Sequence, residues 1–187
     1  MAESLTNTDE TKHWYVMRVT YQRELSAKKK LDTIGVESFV PMKSVKRLMA
    51  NGKTTNKEES ALHNYIFVHS SNEKIDEIKQ NYIPWLRYAM SHTSEGNVIK
   101  MIVPDKQMYD FIAIAGNDNE KITYLSHDEV ALAAGDCVRI INGPFKGVEG
   151  KFIKVKKQRG RCVVVRIDGI TAVATATIPA RFVEKIL

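Results

Sequence analysis

The segment of residues 135–150 reads GDCVRIINGPFKGVEG and carries the signals of two short strands joined by a tight turn. Val138 and Ile140 alternate with their neighbours in the period-two pattern of a half-buried strand. Asn-Gly favours positive φ and Pro144 lacks a backbone donor, so we expect the turn at residues 142–145. Gly150 interrupts the next apolar run and indicates a bulge or sharp bend. Bent strands of this length predict a small antiparallel barrel.

The chain after this segment continues the pattern of short strands and glycine turns. Further strands are predicted at residues 161–167, 171–178 and 182–184, with an Asp168-Gly169 turn between the first two. Five short strands of this kind predict a small β-barrel over residues 129–187. Residues 117–128 have neither helix nor strand periodicity, so we interpret them as a linker.

The chain before the linker alternates between segments typical of strands and segments with apolar residues at helical spacing. Residues 14–19, WYVMRV, are aromatic and β-branched and predict a strand, and apolar residues at helical spacing predict three helices further on. A polar stretch at residues 49–62 predicts a hairpin tip. The element order predicts an α+β fold, in which residues 13–116 form an α/β sandwich with an antiparallel sheet. Residues 1–12 are polar and are predicted to form a mobile tail.

The amino-acid composition is that of a globular protein without a membrane-spanning segment. The 187 residues suffice for one or two domains, and 43% hydrophobic and 27% charged residues are an ordinary globular balance. No apolar run approaches the ~20 residues of a membrane span, and the N-terminus lacks an apolar signal core. We therefore expect a cytoplasmic protein without membrane attachment. The net charge of +6 is compatible with a nucleic-acid partner.

The sequence offers no convincing catalytic or metal-binding constellation. No Gly-Lys-Ser/Thr follows the glycines, so they do not form a phosphate loop. His63 and His69 lack acidic or cysteine neighbours at ligand spacing. Cys137 and Cys162 are too few for a zinc site, and we interpret both as small buried side chains. We therefore expect neither an enzyme nor a bound metal or cofactor.

Two groups of side chains are candidates for binding. The first helix carries a basic group in which phosphate contacts and a solvated helix face are both open interpretations: Arg23, Lys28, Lys29 and Lys30. Phe145 lies on the turn of the first segment, where an aromatic ring either caps the small core or is offered to a partner. We favour the partner, because surface aromatics mark interaction sites.

The spacing of glycines in residues 135–150 resembles the KOW motif of NusG-type transcription elongation factors. The resemblance implies an SH3-like barrel whose structural residues are Gly135, Asp136, Gly143, Pro144, Gly147 and Gly150. The earlier part of the chain also resembles this family. Its marks are WYVMRV at residues 14–19, VPM at 40–42 and LHNYIFV at 62–68, in that order.

The resemblance implies a function and a binding site. Family members bind the clamp helices of the largest RNA polymerase subunit through the first domain and suppress pausing. The family's contact surface is an apolar patch on two strands. Here it implies polymerase-binding residues at Val16, Arg18, Leu62, His63, Tyr65 and Phe67. Leu62-His63 departs from the Phe-Pro pair that many members have before this tyrosine, and Arg18 falls where one specialised branch has an aromatic residue in the patch.

The barrel of such factors docks on a ribosomal protein or on the termination factor Rho. Phe145, Ile167 and Asp168 are the residues expected to bind a partner of the barrel. The positions that match the family's are Ile167 and Asp168 before Gly169, where the aromatic that is common beside the glycine is absent. This change resembles operon-specific antiterminator paralogues that act on long operons, often for surface polysaccharides. Some of these read non-template DNA with the first helix. A monomer that contacts DNA or nascent RNA is the resulting expectation.

Two other interpretations remain open from the residues alone. An RNA-binding or ribosome-associated KOW protein would use the barrel and would not bind polymerase. A protein-binding adaptor would dock a partner through Phe145 and Ile167, and its positive charge would be incidental.

Overall fold

The computed structural model describes residues 11–50, 52–117, 121–125, 135–155 and 158–186. In chain order the elements are β1 (His13–Arg18), α1 (Glu24–Thr33), β2 (Ser38–Phe39), β3 (Met42–Leu48), β4 (Thr54–Ser60), β5 (Tyr65–Ser70), α2 (Asn72–Asn81), β6 (Arg87–Tyr88), β7 (Met90–His92), β8 (Val98–Lys100), β9 (Ile102–Val103), α3 (Asp105–Ala115), β10 (Thr123–Leu125), β11 (Asp136–Ile140), β12 (Glu149–Lys154), β13 (Arg161–Ile167), β14 (Thr171–Ala174), a 3-10 turn (Ala180–Phe182) and β15 (Val183–Lys185).

These elements form two compact units whose boundaries differ from the predicted ones. The first unit comprises Met1–Val40 and His63–Val103, and the second comprises Pro41–Leu62 and Pro104–Leu187. The β3–β4 hairpin and helix α3 were expected with the N-terminal part. They are instead grouped with the C-terminal strands, and α3 packs against β13 and β14.

The first unit is built around β1. Its antiparallel sheet has the order β2-β5-β1-β6, and β9 also pairs with β1. Four consecutive residues of β1, Trp14 to Met17, are at most 4% exposed, so both faces of this strand are covered. Aromatic and β-branched residues suit such a doubly covered strand, which confirms the prediction of a strand at WYVMRV.

Two helices of the first unit turn narrow apolar faces inward. Helix α1 buries Ala27 and Leu31, and helix α2 buries Ile75 and Ile78. The spacing i, i+4 and i, i+3 places each pair on one side of its helix. None of the described helices is long and apolar enough to cross a membrane.

The second unit contains a six-stranded antiparallel sheet with the order β10-β14-β13-β12-β11-β15. The predicted strands near residues 161–167 and 171–178 are present as β13 and β14. Within the described residues, β10 and β15 are the two ends of this order and do not pair with each other. The structure therefore shows an antiparallel sheet, and the closure of a barrel is not seen.

Strand β10 corrects the prediction of an unstructured linker. Thr123, Tyr124 and Leu125 pair with β14, and Leu125 is buried in an apolar cluster with Ile153, Val164 and other residues of the sheet. The segment has only three strand residues among polar neighbours, which is too short for a period-two pattern to be recognised. The remaining linker residues 118–120 and 126–128 lie outside the described part of the chain.

Two glycines of residues 135–150 are required for different reasons, one for its backbone conformation and one for the close approach of a neighbouring strand. Gly143 has φ +91°, a backbone conformation that side-chain-bearing residues rarely adopt. At Gly150 a Cβ atom would lie 2.5 Å from the carbonyl oxygen of Val164, so the approach of β13 requires glycine. The bend predicted at Gly150 therefore reflects close packing of two strands.

The two cysteines differ in exposure. Cys162 is buried as predicted, whereas Cys137 is exposed, which corrects the expectation that both are buried. Cys137 lies near the start of β11 and alternates with the buried Val138, so its side chain points to the uncovered face. Burial raises the pKa of the Cys162 thiol to about 11.

This difference predicts selective thiol chemistry. In the native protein at pH 8, a disulfide reagent should modify Cys137 rapidly and leave Cys162 unmodified, because Cys162 is inaccessible and remains a protonated thiol. Mass spectrometry of the labelled protein identifies the site, and the variant Cys137→Ser should react only after unfolding. Rapid modification of Cys162 in the folded protein would contradict the structure.

Candidate functional site

Strands β1 and β5 bring the residues expected to bind a partner into one register. Val16 pairs with Phe67, and Arg18 pairs with Tyr65. Val16 is 1% exposed and Phe67 is 0% exposed, so both side chains lie in the core. The expectation that they belong to an exposed apolar patch is corrected, because both are covered along the middle of the strands.

The same strand pair is accessible at its end. Arg18 is exposed, and its guanidinium carbon lies 5.7 Å from the centre of the Tyr65 ring, which is half-buried. A cation–π contact at an exposed site is worth about 0.5–1 kcal/mol. His63 is exposed just before β5. Leu62 belongs to the second unit and is half-buried.

A surface depression of about 560 Å³ opens beside this strand end. Its lining combines two guanidinium groups with two phenol rings and comprises Arg18, Val19, Thr20, Tyr21, Asn64, Arg87 and Tyr88. Burial raises the pKa of Tyr88, and the Asp76 carboxylate that contacts its hydroxyl raises it further. Tyr88 therefore stays neutral, and the charged groups that line the depression are the guanidinium groups of Arg18 and Arg87. The depression suits a ligand with negative charge and planar groups.

The turn after β1 has an unusual backbone that presents an aromatic ring. Tyr21 and Gln22 have φ values of +58° and +52°, in the left-handed region that is uncommon for residues other than glycine. The Gln22 N–H donates to Asn64 Oδ1 at 3.1 Å, and Val19 N–H donates to the Asn64 carbonyl at 2.9 Å. Asn64 thus holds the turn, and the Tyr21 side chain is left 83% exposed.

A buried carboxylate completes this arrangement. Glu24 is only 2% exposed, and its Oε1 accepts a hydrogen bond from the backbone N–H of Asn64. Glu24 is also the first residue of α1, where a negative charge is favourable. The start of α1 and the start of β5 are therefore tied together by the residues on either side of the Tyr21 turn.

Two basic residues, one just before α1 and one within it, contact aromatic rings beyond this turn. The Arg23 guanidinium carbon lies 5.4 Å from the centre of the Tyr21 ring and 5.5 Å from that of Trp85. Lys30 Nζ lies 5.8 Å from the Trp85 ring centre and donates to the Tyr82 carbonyl at 3.1 Å. We call the set Tyr21, Arg23, Lys30, Tyr82 and Trp85 the aromatic–basic surface.

The four predicted basic residues therefore separate into two groups. Arg23 and Lys30 share the aromatic–basic surface. Lys28 instead forms an ion pair with Asp32 at 3.0 Å, and Lys29 is exposed elsewhere on the helix. Consecutive residues of a helix point about 100° apart, so a run of three lysines cannot face one ligand.

Sequence reasoning missed the aromatic members of this surface. Tyr82 and Trp85 flank the proline that follows α2, and neither was among the residues expected to bind a partner. Their exposure is seen only in the folded chain, where Tyr82 is 43% exposed and Trp85 is half-buried. Aromatic rings beside cations are the usual components of surfaces that stack nucleic-acid bases.

The residues expected to dock a partner on the C-terminal sheet are mostly internal. Phe145 is 4% exposed and Ile167 is 2% exposed, so the preference for Phe145 as an offered ring is corrected. Phe145 borders a small cavity of about 140 Å³ together with Ile140, Ile178 and Phe182. Asp168 is exposed and forms an ion pair with Arg166 at 2.5 Å.

The histidines and acidic residues do not assemble a metal site in the described part of the chain. His69 Nδ1 lies 2.7 Å from Glu37 Oε2, and the ring stacks on Trp14 with 4.9 Å between ring centroids. His69 therefore contributes to the packing of β1 against β5.

The comparison with protein families places a match over most of the first unit. The NusG family, described as "Transcription termination factor nusG", matches residues 12–132. The matched range includes β1, α1 and β5, which carry the features described above. No curated protein matches the chain.

The role of Asn64 can be separated into a backbone part and a side-chain part. Asn64 has φ +68°, so Asn64→Ala should lose stability through backbone strain and through the missing acceptor for Gln22. Asn64→Gly keeps the backbone conformation and should lose only the hydrogen bond, about 1 kcal/mol. Urea unfolding should place Asn64→Ala about 1 kcal/mol below Asn64→Gly. Equal stabilities of the two variants would contradict this account.

Proposed function

Because the chain belongs to the NusG family of transcription factors, we propose that it binds RNA polymerase and suppresses pausing or termination during elongation. The observation that carries the proposal is the family match over residues 12–132, which covers most of the first unit. The resemblance of LHNYIFV and WYVMRV to the family's contact strands supports β1 and β5 as the elements that face the clamp helices.

Exposure determines which residues we propose as the polymerase contacts. Arg18, His63 and Tyr65 are accessible at the end of the β1–β5 pair, so they are the proposed contact residues. Val16 and Phe67 form a buried pair two positions further along the same strands, and we propose that they act by holding the two strands in register. The proposed contact is thus more polar than the apolar patch implied by the resemblance. Leu62 is the apolar residue that we keep as a proposed polymerase contact.

We further propose that the protein acts on particular long operons, such as those for surface polysaccharides. Two sequence features support this narrower role. Leu62-His63 departs from the pair that many family members have, and Ile167-Asp168-Gly169 lacks the aromatic residue associated with the termination factor Rho. A ribosomal protein that uses the small cavity beside Phe145 is the partner we propose for the C-terminal sheet. The proposed compartment is the cytoplasm.

A second binding activity is favoured by the aromatic–basic surface. Arg23 lies over the rings of Tyr21 and Trp85, and Lys30 lies over the ring of Trp85, so positive charge adjoins two accessible rings. Bases of an unpaired strand stack on such rings while their phosphates contact the cations, and each stacked base contributes about 1–3 kcal/mol. We propose that this surface holds single-stranded nucleic acid during elongation.

The polymerase contact predicts a specific loss on charge reversal. Arg18→Glu should lower the affinity for core RNA polymerase about tenfold, because it removes the cation and the contact to Tyr65. The matched control is Arg181→Glu, since Arg181 is also exposed and lies 5.3 Å from the Phe182 ring. Co-purification and surface plasmon resonance give the affinities. Equal losses in both variants, or none in Arg18→Glu, would reject Arg18 as a contact.

Phe67→Ala is unsuited to this test. Removal of a fully buried phenylalanine costs about 3–5 kcal/mol of stability, so loss of binding would report unfolding rather than contact. Tyr65→Phe provides the conservative partner, because it keeps the ring under Arg18 and removes only the hydroxyl. Binding close to wild type is expected for Tyr65→Phe.

The second activity predicts a difference between two lysines of one helix. Lys30→Gln and Trp85→Ala should each weaken binding of a single-stranded oligonucleotide, with Trp85→Ala about tenfold weaker. Lys28→Gln should have a smaller effect, because Lys28 is already paired with Asp32. Fluorescence anisotropy measures the affinities, and the emission of Trp85 should be quenched on binding. If Lys28 mattered as much as Lys30, the proposed surface would be wrong.

A further inference from the structure

The β3–β4 hairpin is a two-stranded ribbon with most of its side chains exposed. Its seven cross-strand pairs run from Met42↔Ser60 at the base to Leu48↔Thr54 near the tip. Within the described residues no third strand pairs with it. At its base, the Tyr124 hydroxyl donates to the Met42 carbonyl at 3.0 Å. The residues proposed to contact polymerase and those of the aromatic–basic surface lie outside this ribbon, so neither role accounts for it.

The ribbon carries positive charge on both of its faces. Residues 42–60 contain five lysines and arginines and two glutamates, which gives a net charge of +3. Lys43, Arg47 and Lys57 share one face because of the alternation along paired strands, and Lys46 lies on the other. A charge distribution of this kind can contact two separate rows of phosphates.

Ion pairs restrain only part of this charge. Glu59 lies 3.4 Å from Lys43 and 3.6 Å from Arg47, so it orients these two side chains on their common face. Lys46 and Lys57 have no ion-pair partner among the described residues, and both are exposed. These two lysines are therefore the cations of the ribbon available to an anionic partner.

The tip of the ribbon is apolar. Leu48 is 77% exposed and Met49 is 51% exposed. The Met49 N–H donates to the Lys53 carbonyl at 2.8 Å, and the Gly52 N–H donates to the Met49 carbonyl at 2.9 Å, so the turn is hydrogen-bonded. Two large apolar side chains at the end of a basic ribbon are costly to expose to water, which favours a partner that covers them.

We propose that the β3–β4 hairpin binds duplex DNA by entering the major groove. That groove is about 12 Å wide and admits a two-stranded β-ribbon. The lysines on the two faces reach the phosphate rows that border the groove, and Leu48 and Met49 contact apolar base edges such as thymine methyl groups. The inference rests on the hairpin alone and requires neither polymerase binding nor the aromatic–basic surface.

A different role for the charges is protection against aggregation. Lysines on an exposed strand edge hinder pairing with other chains. The two roles predict different results: a protective lysine affects solubility and leaves DNA affinity unchanged, whereas a phosphate contact affects affinity and its dependence on salt.

The test measures binding of the full-length protein, without polymerase, to a short blunt-ended fluorescent duplex by anisotropy. The double variant Lys46→Gln/Lys57→Gln should bind about tenfold more weakly at moderate salt. The slope of log affinity against log salt should also fall by about 2. Leu48→Ser/Met49→Ser should weaken binding while the slope stays unchanged, since these side chains contact no phosphate.

Matched controls identify the surface responsible. Lys146→Gln/Lys154→Gln makes the same charge change at two exposed positions outside the hairpin and should keep wild-type affinity and slope. Trp85→Ala should affect the single strand and leave duplex affinity unchanged. Circular dichroism verifies folding of each variant. The proposal would be overturned if the double lysine variant in the hairpin bound the duplex as tightly as the wild type, or if the control variant lost as much affinity. It would also be overturned if the hairpin variant lost more affinity for the single strand than for the duplex.

Discussion

Strand β1 is hydrogen-bonded along both edges and buried on both faces, and the first unit depends on this constraint. It pairs with β5 on one side and with β6 and β9 on the other. Because Trp14 to Met17 are all buried, none of these side chains is available to a partner. Any surface that the strand offers must lie where it leaves the sheet, at Arg18 and the turn that follows.

The turn after β1 is held in one conformation and presents a defined surface at the end of this strand. Asn64 receives a hydrogen bond from Gln22 and donates one to Glu24, so the start of β5 and the start of α1 are held on either side of Tyr21. The left-handed backbone at Tyr21 and Gln22 is costly on its own, of order 1–3 kcal/mol per residue, and these contacts offset it. Strained backbone of this kind tends to occur at functional sites, which agrees with the accessible rings and cations around it.

The sequence predicted elements better than it predicted surfaces. The strand at WYVMRV and the apolar stripes of the helices are local patterns, and the structure contains them. The resemblance implied that Val16 and Phe67 belong to an apolar patch, but a likeness of strand sequences carries no information about what covers their side chains. Tyr21 and Trp85 are far apart in the sequence, so no local pattern could show that Arg23 lies between their rings. Phe145 was misjudged for a similar reason, because a turn residue can point inward as easily as outward.

The short pairing of β10 with β14 affects how the C-terminal part of the chain could be studied in isolation. A fragment that begins at residue 129 would lack Thr123, Tyr124 and Leu125, and β14 would become an edge strand with unpaired backbone donors and acceptors. Leu125 would also leave the apolar cluster around Ile153 and Val164. Such a fragment would tend to pair with other copies of itself, and its oligomeric state would reflect the truncation. A fragment that begins at or before Lys121 keeps the sheet edge covered.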